Sequence, residues 1–375
     1  MKIILAPDKF KNSLTGSAFC NAVEEGVLAV IPDAEIIKLP LADGGDGTIE
    51  VIDYYLKGQV LDVEVNNPFF QPVNASYLYS EETGTAFVEM AEASGVKLLE
   101  PEAFDCKNAT TLGTGDMIAD AIEKGAKKII LGIGGSATND CGIGMATALG
   151  YRFLDKDGQE LLPIGANLSK IASVDVSKIH PKLNDVSFSV ACDVTNPLFG
   201  KNGAAYVYAA QKGASAEDID MLDKGLESFS KIIKAVFNVD AQQVRGAGAA
   251  GGMGIGSKVF LNGDLKPGIE LIKSLARFDE LIQGADWIIT GEGKLDSQTM
   301  SGKTIQGVLS SAKANQIKVA AFCGAIALSK KETVNMGIDY ADSVIGKAIS
   351  LEDAMQNGYV YVRQIAKDFA ESFLY

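Results

Sequence analysis

Both ends of this chain alternate short aliphatic runs with segments of helical periodicity, and this alternation constrains the fold more than any other feature. The first aliphatic run is KIILA at residues 2–6, and two later ones are DWIIT at 286–290 and KVAAFC at 318–323. Strands that alternate with helices are typical of a parallel sheet covered on both faces. The sequence therefore predicts an α/β fold in which both chain ends build one parallel sheet.

The middle of the chain follows a different pattern. Residues 60–88 alternate polar and apolar side chains between turn residues, which predicts antiparallel hairpins. An aliphatic strand at 128–131 and further helical segments follow. The length of 375 residues suits two domains. We therefore predict one domain from residues 1–62 and 276–375, and a dissimilar mixed-sheet α/β domain at 63–275 inserted between them.

Charge and cysteine content argue against several classes of function. The net charge of −14 disfavours binding to nucleic acid or to an anionic membrane, because both need a basic face. The single histidine, His180, argues against a multi-histidine metal site or a histidine-dependent triad. The five scattered cysteines are typical of reduced thiols. We find no signal-peptide pattern and no run near the roughly 20 apolar residues of a membrane helix. We expect a cytoplasmic protein with small-molecule ligands.

A glycine-rich stretch, LGIGGSATNDCGIG at residues 131–144, follows the predicted strand at 128–131. We call it the glycine loop. Glycine weakens regular structure by roughly 0.5–1 kcal/mol relative to alanine, so a cluster indicates left-handed turns or a close approach by the backbone. Phosphate is the commonest group that a bare backbone approaches. We predict an anion or substrate loop that carries Gly134, Gly135, Ser136, Thr138 and Asn139.

Other interpretations of the glycine-rich segments stay open. Residues 132–137 fit the dinucleotide pattern GxGxxG/A, and Asp155 follows at the distance of a ribose-binding acid, which would indicate an NAD enzyme. The polar residues after position 136 argue against that pattern, and a purely structural turn is the third interpretation. A second segment, GAGAAGGMG at 246–254, follows a helix, so a flexible packing turn competes with a ligand loop there.

The segment SGKT at residues 301–304 resembles the tail of a phosphate-binding P-loop. The first glycine of that motif would fall at Ser297, and a long segment separates it from the preceding strand. A true P-loop is therefore disfavoured, although Lys303 remains a candidate phosphate ligand.

Acidic residues follow four of the predicted strands. In open α/β sheets, ligands bind at the carboxyl ends of the strands. Carboxylates suit Mg²⁺, and lysines suit phosphate and carboxylate groups. Taken singly, each acid could instead cap a helix or form an Asx turn. Because the pattern recurs, we predict that these strand ends bind ligands through Asp8, Lys9, Lys11, Asp43, Asp46, Asp193, Asn196, Glu292 and Lys294.

Long motifs, spread in order over nearly the whole chain, resemble the type I glycerate kinase family. They are APDKFKNSLTG, LPLADGGDGT, GIGGSATNDCGIGMATALG, CDVTNPLFG, GAGAAGGMG and TGEGKLDSQTMSGK. The resemblance implies ATP-dependent phosphorylation of D-glycerate at the 2-hydroxyl, which yields 2-phosphoglycerate and ADP. It also implies two dissimilar α/β domains, one of them flavodoxin-like.

Phosphoryl transfer needs positioned substrates, neutralised charge and a proton acceptor. We predict that Asp193 accepts the hydroxyl proton, with Asp8 as the next candidate. The predicted Mg²⁺ ligands are Asp43, Asp46 and Glu292. The predicted ligands of phosphate and carboxylate groups are Lys9, Lys11, Lys294 and Lys303, with Lys9 also counted among the catalytic residues. Asn196 and the glycine loop are assigned to substrate or nucleotide.

Two hypotheses from other classes accompany the kinase. One is an NAD-linked dehydrogenase of a small hydroxy acid, which rests on the glycine loop and Asp155. The other is a non-catalytic two-domain protein that binds a small molecule. The sequence leaves open which lysine binds which anion, and it leaves the oligomeric state open.

Overall fold

The computed structural model describes residues 1–10, 12–42, 48–296 and 304–374. These residues form two compact units. The end unit comprises Met1–Tyr55 and Pro267–Tyr375, and the central unit comprises Leu56–Lys266. The domain boundaries proposed from the sequence, after residues 62 and 275, stay predictions.

Strands and helices are numbered along the chain. The strands are β1 Lys2–Leu5, β2 Glu35–Lys38, β3 Gln59–Asn66, β4 Pro72–Ser80, β5 Thr85–Glu89, β6 Lys128–Gly132, β7 Arg152–Leu154, β8 Ser173–Asp175, β9 Ser187–Ala191, β10 Asp264–Lys266, β11 Trp287–Thr290, β12 Lys294–Leu295, β13 Lys318–Cys323, β14 Ala325–Ile326 and β15 Tyr340–Ser343. The α-helices are α1 Gly16–Leu28, α2 Thr48–Leu56, α3 Ala91–Ser94, α4 Leu112–Glu123, α5 Ile143–Ala148, α6 Ala216–Phe237, α7 Ala249–Phe260, α8 Gly268–Leu275, α9 Phe278–Leu281, α10 Thr304–Asn315, α11 Lys330–Met336, α12 Leu351–Gln356 and α13 Gly358–Phe369.

The end unit contains a five-stranded parallel sheet in the order β2-β1-β11-β13-β15. Numbered within this sheet, the order is 2-1-3-4-5, which is that of the flavodoxin-like fold. The central strands are aliphatic throughout because helices cover both faces, and Ile3, Ile289 and Phe322 are fully buried. The predicted parallel sheet from both chain ends is confirmed. Ligands in this fold bind where the strand order reverses, between β1 and β11.

The central unit contains a six-stranded mixed sheet in the order β10-β9-β6-β5-β4-β3. The pairs β3–β4 and β4–β5 are antiparallel, as the alternating sequence predicts, and the remaining pairs are parallel. The register aligns Glu89 with Gly132, and Gly132 with Ala191. The carboxyl ends of β5, β6 and β9 therefore lie side by side at one edge of the sheet.

The glycines of α7 allow close packing against the glycine loop. Ala250, Gly251 and Gly252 adopt left-handed backbone angles within α7. A Cβ atom at Gly251 would lie 2.2 Å from the Thr138 carbonyl oxygen, and one at Gly252 would lie 2.9 Å from the Cα of Cys141. The GAGAAGGMG segment thus behaves as a packing turn, which was one of its two interpretations.

In the part of the chain that the structure describes, no helix has both the length and the apolar character needed to cross a bilayer.

Candidate active site

The glycine loop is held in place along most of its length by backbone hydrogen bonds. The Val96 N–H donates to the Gly135 carbonyl oxygen at 3.0 Å, and the Ala137 N–H donates to the Ser94 carbonyl oxygen at 2.9 Å. Further along, the Cys141 N–H donates to the Gly251 carbonyl oxygen at 3.0 Å. The loop is therefore a fixed frame and not a free turn.

Three successive N–H groups of this frame remain available. The backbone N–H groups of Gly134, Gly135 and Ser136 form no hydrogen bond with any residue that the structure describes. Gly134 and Gly135 are exposed, and a Cβ atom at Gly134 would meet nothing within 4 Å. Gly135 has a φ angle of +68°, which side chains adopt only with strain. Consecutive N–H groups beside a left-handed residue form an anion-binding concavity.

A buried lysine that the sequence analysis missed contacts this loop. Lys212 is 5% exposed, and its Nζ donates to Ser136 Oγ at 2.6 Å and to the Thr138 carbonyl oxygen at 2.9 Å. Burial lowers the pKa of Lys212 to about 8. Its sequence surroundings, AAQKGAS, match no motif, so only the tertiary structure identifies it.

Asp140 anchors the end of the glycine loop from inside. Its carboxylate accepts hydrogen bonds from the N–H and hydroxyl of Thr111, both at 2.8 Å, and from the N–H groups of Gly142 and Gly144, both at 3.2 Å. Burial raises the pKa of Asp140, although these donors oppose that effect. The contacts tie the start of α5 to the start of α4, which gives Asp140 a structural role.

Two of the predicted binding residues carry buried polar atoms without partners. The Thr138 hydroxyl and both polar atoms of the Asn139 side-chain amide form no hydrogen bond among the described residues, and both residues are fully buried. Buried polar groups are nearly always paired, so unpaired ones deserve an explanation such as a bound water or ligand. They support the assignment of Thr138 and Asn139 to a binding loop, and that assignment stays a prediction.

The carboxyl edge of the central sheet brings further groups beside the glycine loop. Asp193 is exposed and follows β9, the strand next to β6. Glu89 ends β5 on the other side of β6, and burial raises its pKa, with Glu92 adding to the effect. The sequence analysis missed Glu89 although it shows the same signal, an acid at a strand end. Neighbouring strands lie about 4.8 Å apart, so the two carboxylates flank the glycine loop.

Asn196 holds the chain that follows Asp193. Its amide nitrogen donates to the Asn202 carbonyl oxygen at 2.9 Å, and its amide oxygen accepts from the Tyr208 hydroxyl at 2.7 Å. These contacts stiffen the segment after β9. Substrate binding by Asn196 stays a prediction.

In the end unit, Asp8 and Glu292 follow the two strands at the point where strand order reverses. The Asp8 N–H donates to the Gly291 carbonyl oxygen at 2.8 Å, which extends the β1–β11 ladder. One carboxylate oxygen of Asp8 accepts from the hydroxyl of Thr304, the first residue of α10. Glu292 is 8% exposed and directly follows Gly291. Two carboxylates thus lie at the place where this fold binds ligands.

The predicted lysines and the remaining acids are only partly described. Lys9 follows Asp8 and is half-buried. The Lys294 side chain is 63% exposed and forms a 3.2 Å ion pair with Asp296. Lys11, Asp43, Asp46 and Lys303 lie outside the described residues. Among the described residues, no group of three or more metal-binding side chains occurs.

The structure disfavours the dinucleotide interpretation of the glycine loop. The helix that should open inside the pattern begins only at Ile143, after a polar loop. Asp155 follows β7, which pairs with β8 in a separate two-stranded sheet and not in the parallel array. Its carboxylate accepts from the N–H groups of Asp157 and Gln159, both at 2.9 Å. Asp155 therefore forms a turn and does not occupy the position of a ribose ligand.

Comparison with known proteins decides among the hypotheses. The sequence profile of the glycerate kinase family matches residues 3–374. The chain belongs to the glycerate kinase family. It is 41% identical over 372 residues to a glycerate kinase of Bacillus subtilis strain 168, covering 99% of this chain and 97% of that protein. It is 40% identical over 370 residues to the glycerate 2-kinase of Escherichia coli strain K12, with the same coverage.

A solved structure agrees with this family assignment. The crystal structure of a candidate glycerate kinase 2 from Salmonella typhimurium LT2 superposes with a TM-score of 0.88 at 40% identity, covering 100% of this chain and 98% of that one. The predicted resemblance, the fold class and the expectation of a kinase are confirmed. The comparisons support neither the NAD-linked dehydrogenase nor the non-catalytic binding protein.

Proposed function

We propose that this glycerate kinase family member transfers the γ-phosphoryl group of ATP to the 2-hydroxyl of D-glycerate, which yields 2-phosphoglycerate and ADP. Membership of the family supports the use of ATP and glycerate, and the name of the Escherichia coli relative supports the 2-hydroxyl. The observation that carries the proposal is the carboxyl edge of the central sheet. There, free N–H groups for an anion lie beside the strand end that carries Asp193.

The residues of the central unit supply two parts of the reaction. The glycine loop offers N–H donors to a carboxylate or phosphate group, which positions that group without reorganisation during the reaction. Asp193 is exposed at a strand end whose following loop is braced by Asn196, so its carboxylate suits a general base. It would accept the proton of the glycerate hydroxyl as the oxygen attacks phosphorus.

Magnesium is part of the proposal because phosphoryl transfer from ATP ordinarily uses it. Mg²⁺ prefers oxygen ligands and binds through one or two carboxylates together with water and substrate phosphates. Asp8 and Glu292 fit this chemistry, since they follow adjacent strands and present carboxylates at the switch point of the end unit. Asp43 and Asp46, which lie outside the described residues, stay predicted ligands. When bound, the ion would neutralise charge on the transferring phosphate.

The decisive experiment measures ADP release with MgATP and D-glycerate, with L-glycerate and glycerate-free reactions as controls. We expect release that depends on D-glycerate. Proton-coupled phosphorus NMR of the product then distinguishes the positions, because phosphorus couples to a single C–H proton in 2-phosphoglycerate and to a CH₂ pair in 3-phosphoglycerate. Coupling to a CH₂ pair would refute the 2-hydroxyl, and glycerate-dependent reduction of NAD without ADP release would refute the kinase.

We also propose a reducing, cytoplasmic compartment. All five cysteines are free thiols, and four of them are buried. Such thiols persist where glutathione keeps proteins reduced. Fractionation of cells that express the native chain tests this proposal.

A further inference from the structure

Lys212 is a buried cation whose charge does not stabilise the fold. Its ammonium group contacts a hydroxyl and a carbonyl of the glycine loop, and it forms no ion pair with any described carboxylate. Burying a charged ammonium without a paired anion costs stability. An apolar side chain would fill the same space without that cost, so the charge itself requires an explanation.

The surroundings leave this charge uncompensated. The titratable groups that act on Lys212 are the Cys106 thiol and the Asp140 carboxyl. Burial raises the pKa of Cys106 to about 11, with Asp105 and Asp218 adding to the effect, so this thiol is neutral at pH 7. The Asp140 carboxylate is already occupied by four hydrogen bonds from other donors. Neither group neutralises Lys212 by direct contact.

The ammonium instead contacts a residue that carries one of the available donors of the glycine loop. Ser136, whose hydroxyl accepts from Lys212, also carries one of the three unpaired N–H groups. A charge in this position adds to the field of those N–H groups. The burial of Lys212 itself reduces the screening of its charge by water.

We infer that Lys212 is a positioning residue that supplies the positive charge of an anion site formed by the N–H groups of Gly134, Gly135 and Ser136. The occupant is a negatively charged group of a substrate, either the carboxylate of glycerate or a phosphate of ATP. This inference rests on the proposed function, because it takes the two substrates from it.

The inference has a specific pH dependence. Free Lys212 loses its proton near pH 8, whereas a bound anion holds the proton and raises the pKa. The anion therefore binds most tightly below pH 8. Its affinity falls between pH 8 and the higher pKa that Lys212 has in the complex, and it falls no further above that pKa. The KM of one substrate should rise between pH 7 and pH 9, and the substrate whose KM rises identifies the bound group.

The test uses Lys212→Met, which keeps the length of the side chain and removes the charge. We expect the KM of one substrate to rise about 10- to 100-fold at pH 7, the scale of a lost hydrogen bond to a charged group. The pH dependence of that KM above pH 7 should disappear, which a merely structural role would not cause. Lys201→Met is the matched control, because Lys201 is exposed in the same unit.

A second variant and the wild-type profile keep the inference testable if Lys212→Met does not fold. Ser136→Ala removes the hydroxyl partner of Lys212 but keeps the charge of Lys212. In this variant, the KM of the affected substrate should therefore retain the wild-type pH dependence. A wild-type enzyme in which neither KM rises between pH 7 and pH 9 overturns the inference. Equal KM values in Lys212→Met and the wild type overturn it as well, and leave the proposed function intact.

Failure of the proposed function is distinguishable from failure of this inference. If the wild type releases no glycerate-dependent ADP, the proposed function fails. Inorganic phosphate then serves as the probe, with the melting temperature as the readout. The inference survives if phosphate raises the melting temperature of the wild type at pH 7 but not that of Lys212→Met, and it fails if both respond equally.

Discussion

The carboxyl edges of the two sheets both carry carboxylates but differ in their other groups. In the central unit, the edge carries Glu89 and Asp193 and also offers hydrogen-bond donors: three unpaired N–H groups on the glycine loop and the buried Lys212, which contacts Ser136. In the end unit, the edge at the strand-order switch offers acceptors: the carboxylates of Asp8 and Glu292. The first edge suits an anion, and the second suits a cation.

The difference shows that topology places a site without determining its chemistry. Both edges follow the rule that ligands bind beyond the carboxyl ends of parallel strands. The glycine loop presents its N–H groups because positive φ angles and absent side chains expose the backbone, whereas β1 and β11 simply continue into acidic residues. Phosphoryl transfer uses both kinds of group, donors for phosphate or carboxylate and acceptors for metal.

The largest expected effect concerns the base at the central edge. Asp193→Asn keeps the shape of the side chain but removes its basicity, so kcat should fall about 10²–10⁴-fold. The KM for ATP should stay near the wild-type value, because the base acts on the acceptor. Asp185→Asn is the matched control, since Asp185 is an exposed acid just before β9, at the opposite end of the same strand. Near-normal turnover of Asp193→Asn would instead assign the proton to another carboxylate, and Glu89 and Asp8 would be tested next.

The next effect tests whether the glycine loop binds an anion through its backbone. Gly135→Val adds a branched side chain at φ +68° beside the free N–H groups, and activity should fall by about 10²-fold or more, the cost of losing an oxyanion donor. Gly158→Val is the control, because Gly158 has φ +77° with open space around its Cβ position and lies far along the chain from the loop. Both variants should lose about 1–3 kcal/mol of stability through backbone strain. Loss of activity in both would indicate a general effect of strain.

A smaller effect separates the cation edge from the anion edge. Asp8→Asn should raise the Mg²⁺ concentration for half-maximal activity about 10- to 100-fold, as losses at metal sites commonly do. Asp286→Asn changes an exposed acid at the opposite end of β11 and should leave the Mg²⁺ requirement unchanged. If Gly135→Val shifts the Mg²⁺ requirement as strongly as Asp8→Asn, the division of chemistry between the two edges is wrong.

The charge of Lys212 should also appear in folding stability. Its pKa is lowered to about 8 in the folded protein from 10.5, so between these values only the unfolded state holds the proton. Stability contributed by this residue therefore rises with pH across that window. Lys212→Met should melt at a higher temperature than the wild type. This difference should be largest below pH 8 and should shrink toward pH 10. A difference that does not change with pH would mean that folding does not lower the pKa of Lys212.

The smallest effect concerns a lysine predicted from the sequence. The exposed pair of Lys294 with Asp296 is of the kind that contributes about 0–1 kcal/mol. If Lys294 has no further role, Lys294→Ala should change the KM for ATP by less than about fivefold, the ratio to which 1 kcal/mol corresponds. A larger rise in this KM would support the prediction that Lys294 binds phosphate.

Much of this protein follows from patterns among residues close together in sequence. Aliphatic runs and period-2 alternation predict the parallel and mixed sheets, because burial on both faces or on one face selects those patterns. The glycine cluster predicts an exposed backbone, and acids after strands predict ligand-binding edges. The same pattern could have predicted Glu89, since it also ends a strand. The motifs further indicate the family to which the chain belongs.

Only the tertiary structure decided which of these groups act together. Lys212 and Ser136 are 76 residues apart in sequence, and nothing near Lys212 predicts their contact. The strand order that juxtaposes Asp8 with Gly291 joins the two ends of the chain, and the packing of Gly251 against Thr138 explains a second glycine segment that resembled a ligand loop. Local patterns determine secondary structure because backbone geometry and burial act over a few residues. The protonation of Lys212 and the groups available for binding depend on desolvation and on hydrogen bonds between distant segments. Both arise only once the chain has folded.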